Sequence, residues 1–472
     1  MMLTAFSPEL TVLISAITFV ILACLRQSDA RRDHLTAVGL SALTLFVSLL
    51  SLNLRGDLFQ EAYRVDLFSQ VFKTLLALAA FLVIWLCRRL EAVPERRHPE
   101  IYLLLATATL GLMLLVSCVH LFAFFLALEL SSYSLYILVL LHRDRHRAQW
   151  AGLRYFLIGI STSAVMLFGL ALIYGVTGTA HLGVLTAEWA GWAGDPLLML
   201  GLLLTLAGGF FKLALFPFHS WAPDAYEAAA HPVAAYIATA SKVAAAAALL
   251  RLTAPVMGAG GLLVDGLALL AIVGMTVGNL AAVAQTDFKR LMAFSSIAHA
   301  GYLMIGILSF NTAGGSAVVF YAAAILVMKY TCFLVLVQVA ADGHNLAISE
   351  LAGLHRRSPV LALALMMALF GLAGIPPTIG FSGKLLLFRA ALTEGHLLLV
   401  LIAMFNVVIS LYYYLRVLKA AYLTEPAVAQ PPLTLSVGDR ALTYALIAAI
   451  TLIGFYPTGL LKLAAAAAGV LS

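Results

Sequence analysis

Apolar stretches of about twenty residues follow one another along almost the entire chain of 472 residues. A helix that crosses a bilayer needs about 20 mostly apolar residues, and fourteen stretches meet that condition. They cover approximately residues 8–25, 35–54, 66–87, 100–118, 120–141, 154–176, 196–216, 231–252, 261–283, 291–309, 314–340, 359–393, 396–421 and 440–461. Their length, and the lack of alternation between polar and apolar residues, predict membrane helices rather than a β-barrel.

The composition agrees with a protein that lies mainly within a membrane. Apolar residues make up 63% of the chain and charged residues 11%, whereas soluble domains carry about 25% charged residues. No polar linker divides the apolar stretches, so we predict one all-α integral membrane domain over residues 1–472. The net charge of +6 comes from short loops and not from a basic run interleaved with aromatic residues, which argues against nucleic-acid binding.

The loops between the segments alternate in charge. Arginine and lysine concentrate in the loops after segments one, three, five, nine and eleven, including Arg31, Arg32, Arg88, Arg89, Arg96, Arg97, Arg147, Arg154, Lys289, Arg290, Arg356 and Arg357. The loop after segment seven instead carries His219, Asp224, Glu227 and His231. Because positively charged loops remain in the cytoplasm, the pattern predicts that both termini face the outside.

Two segments contain residues that interrupt helices. Segment seven reads FKLALFPFHSW, with a proline after its apolar run, and segment twelve carries GIPPTIGFSG at residues 374–383. Broken helices in a membrane expose backbone groups, which are tolerated where they line a cavity or are buried in protein. In transporters such ends face ions. We therefore expect a broken helix in each segment.

Ionisable side chains within the segments are the candidate functional residues, because a charge at mid-bilayer costs several kcal/mol by insertion scales. Six stand out: Glu129, Lys212, Lys242, His299, Lys329 and Lys384. Lys242 lies eleven residues after His231, about 16 Å along a helix, which is too deep for its ammonium to reach the membrane surface. A desolvated lysine exchanges a proton readily, so one glutamate and four lysines indicate a series of proton sites rather than a solute pocket.

Glu129 lies in the middle of segment five, and Ser132, Tyr133 and Tyr136 follow it on the same helix face. Such a polar stripe indicates a protein interior or a water-filled path. The alternative is a structural ion pair that only joins two helices. For His299 the alternative to proton relay is a hydrogen-bonded interior histidine.

Motifs for redox cofactors and nucleotides are missing. The chain has no Gly-rich dinucleotide fingerprint, no phosphate-binding loop and no C-x-x-C. Its four cysteines, Cys24, Cys87, Cys118 and Cys332, lie in or at the ends of apolar segments, and we expect them to be buried free thiols. We expect no cofactor or metal in this chain, so any redox energy would come from another chain.

Four stretches resemble the antiporter-like membrane subunits of the proton-pumping NADH–quinone oxidoreductase, respiratory complex I. They are FFLALELSSYSLYILV, FKLALFPFHSWAPDAYEAAAHPV, QTDFKRLMAFSSIAHAGYLMIG and LAGIPPTIGFSGKLLLF. The resemblance implies fourteen helices with two inverted five-helix repeats, here near residues 100–252 and 261–421. It implies partner subunits that hold NADH, FMN, iron–sulfur clusters and quinone, including a homologous antiporter-like subunit, in a bacterial inner membrane.

The resemblance also implies roles for individual residues. Glu129 and Lys212 match the family's glutamate–lysine pair, Lys242 the central lysine and Lys384 the terminal one, and His299 matches the histidine of the SSIAHAGY motif. Two positions depart from the pattern. EAAAHPV stands where the family usually has a sequence like EGAPTPV, and Lys329 stands where the most similar subunits usually have an uncharged residue.

His231 and His219 are accordingly candidate proton-entry residues, with a solvated loop histidine as the alternative for His231. The function implied is coupling of electron transfer from NADH to quinone to proton translocation. The first alternative is a subunit of a multi-chain Na⁺/H⁺ antiporter, which Lys329 favours slightly. The second is a stand-alone solute transporter, which would need a pocket richer in aromatic and amide side chains than in lysines.

Overall fold

The computed structural model describes residues 2–25, 29–90, 93–142, 145–192, 194–256, 261–426 and 431–471. Its α-helices are α1 (Met2–Ala5), α2 (Ser7–Cys24), α3 (Ala30–Leu50), α4 (Leu67–Leu86), α5 (His98–Ser117), α6 (Leu121–Leu140), α7 (Arg145–Thr177), α8 (Leu182–Trp192), α9 (Pro196–Leu213), α10 (Trp221–Ala228), α11 (His231–Ala238), α12 (Ala240–Thr253), α13 (Leu262–Val283), α14 (Phe288–Ile307), α15 (Thr312–Val339), α16 (Leu354–Arg357), α17 (Pro359–Ala373), α18 (Ile379–Thr393), α19 (Leu397–Leu423), α20 (Val437–Phe455) and α21 (Thr458–Ala468). Short 3₁₀ helices cover Glu95–Arg97, Ala254–Val256 and Ile348–Leu351.

The prediction of an α-helical membrane protein is confirmed. Within the described ranges, thirteen helices are long and apolar enough to cross a membrane. The shorter α17 and α18 together occupy predicted segment twelve. The sequence did not indicate a small antiparallel hairpin, in which β1 (Gly56–Leu58) pairs with β2 (Tyr63–Val65).

Both predicted breaks are present. In segment seven, α9 ends at Leu213, Ala214 adopts a left-handed conformation with φ 59°, and helix resumes at Trp221. In segment twelve, α17 ends at Ala373 and left-handed Gly374 follows with φ 87°. Helix α18 then begins after Thr378, whose side chain caps it.

Segment eight was predicted as a membrane segment, and the structure shows in addition an interruption at Thr239. The residue separates α11 from α12 with φ −115° and ψ −82°. Its hydroxyl donates a 2.7 Å hydrogen bond to the carbonyl of Ala235. Such a bond to the preceding turn competes with the helix ladder and bends the helix. The bend lies one turn before Lys242.

The most deeply buried helices lie at the centre of the bundle. Every residue of α11 and α12 is buried, and α14 and α15 are buried over nearly all of their length. Helices α2, α3, α13, α19 and α20 expose much of their apolar surface instead. An apolar surface of this kind is expected where lipid or other membrane subunits cover the protein.

Hydrogen bonds and shared cavities join the basic loops at one end of the bundle. Ile348 donates its backbone N–H to Thr286, Gly353 donates to Thr424, and Lys289 donates to Ala229. We call this end the Arg-rich face. The opposite end carries the start of α2 and the hairpin, and we call it the N-terminal face. The expectation of four buried thiols holds for three cysteines and is wrong for Cys24, which is exposed near the end of the peripheral helix α2.

Candidate functional site

Lys212 and Lys242 meet at the break after α9. The ammonium of Lys242 donates a 3.0 Å hydrogen bond to the backbone carbonyl of Lys212 and lies 4.9 Å from the centre of the Trp221 ring. The last carbonyls of a helix have no helical partner and carry partial negative charge. The break therefore presents an acceptor to Lys242 in the interior, where this lysine is 3% exposed.

The ammonium of Lys212 is held by helix α6. It donates hydrogen bonds of 2.5 Å to the hydroxyl of Ser131 and 3.0 Å to that of Ser132. Two residues before this pair, Glu129 accepts a 2.5 Å hydrogen bond from the hydroxyl of Ser163 on α7. Lys212 and Glu129 are near enough to interact electrostatically, but the described ion pairs with N–O distances up to 4.0 Å do not include them. Each charge is instead hydrogen-bonded to serine hydroxyls, Lys212 to Ser131 and Ser132 and Glu129 to Ser163.

The predicted polar stripe on α6 is partly wrong. Ser132 and Tyr136 are buried beside Glu129, whereas Tyr133 is 46% exposed. Four residues advance a helix by slightly more than one turn, and here that rotation takes Tyr133 out of the interior.

Lys384 is bound at the second break in the same way as Lys242 is at the first. Its ammonium donates hydrogen bonds of 2.9 and 3.0 Å to the carbonyls of Leu372 and Ala373, in the last turn of α17. The same ammonium lies 4.7 Å from the centre of the Tyr302 ring. Each broken helix thus offers its carbonyl end to a buried lysine that also contacts an aromatic face.

A chain of hydrogen-bonding groups connects Lys329 to His299. Lys329 donates to the Ser295 hydroxyl at 2.7 Å and to the Met292 carbonyl at 2.9 Å. Ser295 and the Tyr414 hydroxyl are 2.5 Å apart, and Tyr414 lies 3.3 Å from Nε2 of His299. On the other side of the ring, Nδ1 of His299 lies 2.7 Å from the hydroxyl of Tyr321. Such a chain can pass a proton along it, because hydroxyl and imidazole groups both donate and accept.

His231 is 5% exposed, so the solvated-loop alternative is wrong. His219 is partly buried in the turn between α9 and α10. An ionic cluster at the Arg-rich face borders this region. Arg290 donates to Asp224 and Glu227 at 2.9 and 2.7 Å, and Arg154 also pairs with Asp224.

Several residues of this interior went unrecognised in the sequence. Lys289 was counted only as a loop charge, yet it is fully buried and donates a 2.8 Å hydrogen bond to the Ala229 carbonyl. Tyr321 and Tyr414 could not be predicted as members of the chain, because tyrosine is common in apolar segments. Glu9 and Lys73 form a fully buried ion pair of 3.0 Å, which the search for intramembrane charges could have found.

No group of three or more metal-ligating side chains occurs within the ranges that the structure describes. Lysines, hydroxyls and histidines lie in the interior around two broken helices, which is the arrangement of an antiporter-like proton-translocating membrane protein.

The family comparison identifies this class more closely. Residues 118–410 match the model of the NADH:quinone oxidoreductase/Mrp antiporter membrane family. NADH-quinone oxidoreductase subunit N 2 of Syntrophobacter fumaroxidans is 56% identical over 467 residues, covering 99% of both chains. The chain belongs to this family, with the subunit N proteins of NADH–quinone oxidoreductase as its strong relatives.

Solved structures of membrane complexes contain chains with the same fold. A chain of respiratory complex I from Thermus thermophilus matches with a TM-score of 0.84 and 35% identity, covering 97% of this chain and 99% of that one. A chain of the Mrp complex from Dietzia has a TM-score of 0.89 over 100% of this chain and 98% of its own. At 22% identity, this second match shows the fold alone.

The protein is thus a multi-pass membrane subunit of a bacterial NADH–quinone oxidoreductase, which couples electron transfer from NADH to quinone to proton translocation. Its partners are the other membrane subunits of the complex, among them antiporter-like ones. The Na⁺/H⁺ antiporter alternative is the less supported, because the subunit N relative is 56% identical over nearly the full length of the chain.

Proposed function

We propose that this subunit itself carries protons, without a redox group of its own, and that NADH, FMN, iron–sulfur clusters and quinone are bound by partner subunits. The observation that carries the proposal is the bonding of Lys242 and Lys384 to the carbonyl ends of two broken helices. A buried ammonium held by neutral acceptors can give up its proton without leaving a buried anion unpaired. This property suits a carrier more than a structural ion pair.

In the proposed path, protons enter from the Arg-rich face past His231 and His219. They pass Lys212, with Glu129 modulating its proton affinity, and reach Lys242. They continue along Lys329 and His299 and leave past Lys384, as these groups become loaded and unloaded in turn. A unit charge brought to about 4 Å acts with about 4 kcal/mol at an effective dielectric of about 20. This corresponds to roughly three pKa units, which is enough to load or unload a site.

The membrane orientation follows from the loop charges. We place the Arg-rich face in the cytoplasm of the inner membrane and both termini outside, by the positive-inside rule. Two inverted repeats, near residues 100–252 and 261–421, would then bring one broken helix each to the path.

The direct test is Lys242→Ala in the assembled complex. We expect proton pumping and coupled quinone reduction to fall by roughly 100-fold, as for loss of a positioned proton-transfer group, while NADH oxidation with an artificial acceptor stays unchanged. The control is Lys419→Ala, which removes an exposed lysine of α19. Unchanged pumping in Lys242→Ala would remove Lys242 from the path.

A further inference from the structure

A second buried group of polar side chains lies outside the path described above, between α2, the hairpin, α4, α5 and α12 at the N-terminal face. We call it the N-terminal polar cluster. Its titratable and polar members are Glu9, Tyr63, Asp66, Gln70, Lys73, Ser117, Cys118 and Arg251. Glu9, Lys73 and Asp66 precede residue 118, where the family match begins.

One ion pair of the cluster is extensively hydrogen-bonded. Arg251 donates two hydrogen bonds to the carboxylate of Asp66, at 2.8 and 3.1 Å, and a third to the Val116 carbonyl at 3.0 Å. Asp66 also caps α4 by accepting from the backbone N–H of Ser69 at 2.7 Å. Both Asp66 oxygens are therefore occupied, and this pair fixes α4 to α12.

The other ion pair has an unused acceptor. Oε1 of Glu9 lies 3.0 Å from the ammonium of Lys73 and accepts a 2.5 Å hydrogen bond from the Tyr63 hydroxyl. Oε2 of Glu9 has no partner among the described residues, although the side chain is fully buried. Burial and the Glu9 carboxylate hold the pKa of Tyr63 well above its usual value, so Tyr63 remains a donor to Glu9.

Gln70 has the most polar atoms without a hydrogen-bond partner among the described members of the cluster. It is fully buried one turn before Lys73, and neither its amide oxygen nor its amide nitrogen has a partner in the described part of the chain. Buried polar groups are almost always hydrogen-bonded, and water is the usual partner when protein groups are absent. Ordered water can satisfy the two amide atoms of Gln70 and Oε2 of Glu9, which have no partner among the described residues.

We propose that the N-terminal polar cluster binds water, and that Glu9 in it takes up and releases protons between Lys242 and the N-terminal face. This inference rests on the proposed function and adds an exit separate from Lys384. Arg251 lies nine residues after Lys242, about 14 Å along α12, so the cluster lies beyond Lys242 toward that face. Glu9 is in the first turn of α2, close to the end of the bundle.

The proton balance of the step is simple. A protonated water in the cluster donates its excess proton to Oε2 of Glu9, which becomes a neutral carboxyl group, and the water remains neutral. A water at the N-terminal face then accepts that proton, and the ion pair with Lys73 re-forms. Burial raises the pKa of the Cys118 thiol to about 12, so this neighbour stays neutral.

The test uses the whole complex in sealed vesicles, with proton pumping measured per NADH oxidised. Gln70→Leu removes both unpartnered amide atoms at similar volume, and we expect about tenfold slower pumping. The double variant Glu9→Gln/Lys73→Met removes both charges together, so that neither is left unpaired, and we expect a loss of the same size. The control Asp439→Asn neutralises a buried carboxylate whose oxygens bind Trp85 and Ser436 and should pump normally.

The outcomes separate this inference from the proposed function. Normal pumping in Gln70→Leu and in the double variant, with Lys242→Ala inactive, would leave the proposed path standing and overturn the N-terminal exit. If the double variant fails to assemble, proton pumping by Gln70→Leu tests the N-terminal exit alone. A leucine in a dry site would keep or increase the unfolding temperature of the complex. A more stable Gln70→Leu complex with normal pumping would show that the cluster is dry and purely structural.

Discussion

The two broken helices hold their lysines alike but differ in the charges around them. Lys242 and Lys384 each donate to carbonyls at a helix end and contact an aromatic ring. Around the first break, α6 supplies the buried carboxylate Glu129. Around the second, the described residues of α13–α19 contain no buried carboxylate, and a tyrosine–histidine chain begins at Lys329 instead.

The difference indicates how each half can respond to a neighbouring charge. In the first half, a change in the separation of Glu129 and Lys212 would alter how tightly Lys212 holds its proton. The second half has no such anion, so its proton affinities depend on repulsion among lysines and on the hydrogen-bonded chain.

Lys329→Met should abolish transfer in the second half. Methionine fills a similar volume but cannot donate to Ser295 or to the Met292 carbonyl, so the chain to His299 loses its charged end. We expect proton pumping in the assembled complex to fall by roughly 100-fold, with Lys419→Met as the exposed control. Pumping equal to that of the wild type would mean that Lys329 is a structurally tolerated lysine.

Glu129→Gln should have a smaller effect, because Ser163 can still donate to the amide oxygen and Lys212 keeps its two serines. Loss of the nearby negative charge weakens proton binding at Lys212, and we expect about tenfold slower pumping, equivalent to 1.4 kcal/mol. If the two residues act as one unit, Glu129→Gln/Lys212→Met should pump no more slowly than Lys212→Met alone. If the losses of the two single variants add fully in the double variant, Glu129 and Lys212 act independently.

The left-handed residues at the two breaks should respond in opposite directions to exchange of alanine and glycine. A Cβ on Gly374 would lie 3.0 Å from Cδ of Lys384, at φ 87°, so Gly374→Ala should destabilise the protein by about 1–3 kcal/mol. Ala214→Gly removes a Cβ from a residue with φ 59° and should be neutral or stabilising by up to about 1 kcal/mol. The unfolding temperature of the purified complex measures both effects. Equal shifts in the two variants would contradict the left-handed conformation of these two residues.

The loops at the Arg-rich face should differ in pH response. In the first half, Arg290 forms ion pairs with Asp224 and Glu227, and no histidine takes part in these two contacts. In the second half, burial lowers the pKa of His344, but Asp342 and Glu350 outweigh burial and leave the pKa raised above 6.5. The stability that His344 contributes is therefore present below about pH 6.5 and lost as pH rises through the raised value.

Backbone amide exchange in residues 340–350 measures this loss. We expect exchange to accelerate with pH by more than its intrinsic dependence in the wild type, and by only that dependence in His344→Gln. The same acceleration in both proteins would rule out His344 as the cause. The effect should be small, because this histidine is 42% exposed.

The sequence predicted the parts of the fold that local chemistry decides. Segment length and hydropathy predicted the membrane helices. The proline- and glycine-containing stretches predicted both breaks, because proline lacks the N–H of the helical hydrogen-bond ladder and glycine readily adopts conformations that end a helix. The cost of a charge in a bilayer singled out six interior residues, and all six are buried. The kink at Thr239 escaped prediction, since threonine inside an alanine-rich helix carries no comparable signal.

The partners of those charges were decided by tertiary structure. Lys242 bonds to the carbonyl of residue 212, and Lys329 reaches His299 only through Ser295 and Tyr414, which come from different helices. Gln70 and Glu9 were not singled out in the sequence, yet both are buried, and among the described residues the amide of Gln70 and Oε2 of Glu9 have no hydrogen-bond partner. Sequence determines which groups are costly to bury, because that cost belongs to each side chain. Only packing determines which acceptor or water offsets it, because the distances involved join residues far apart in the chain.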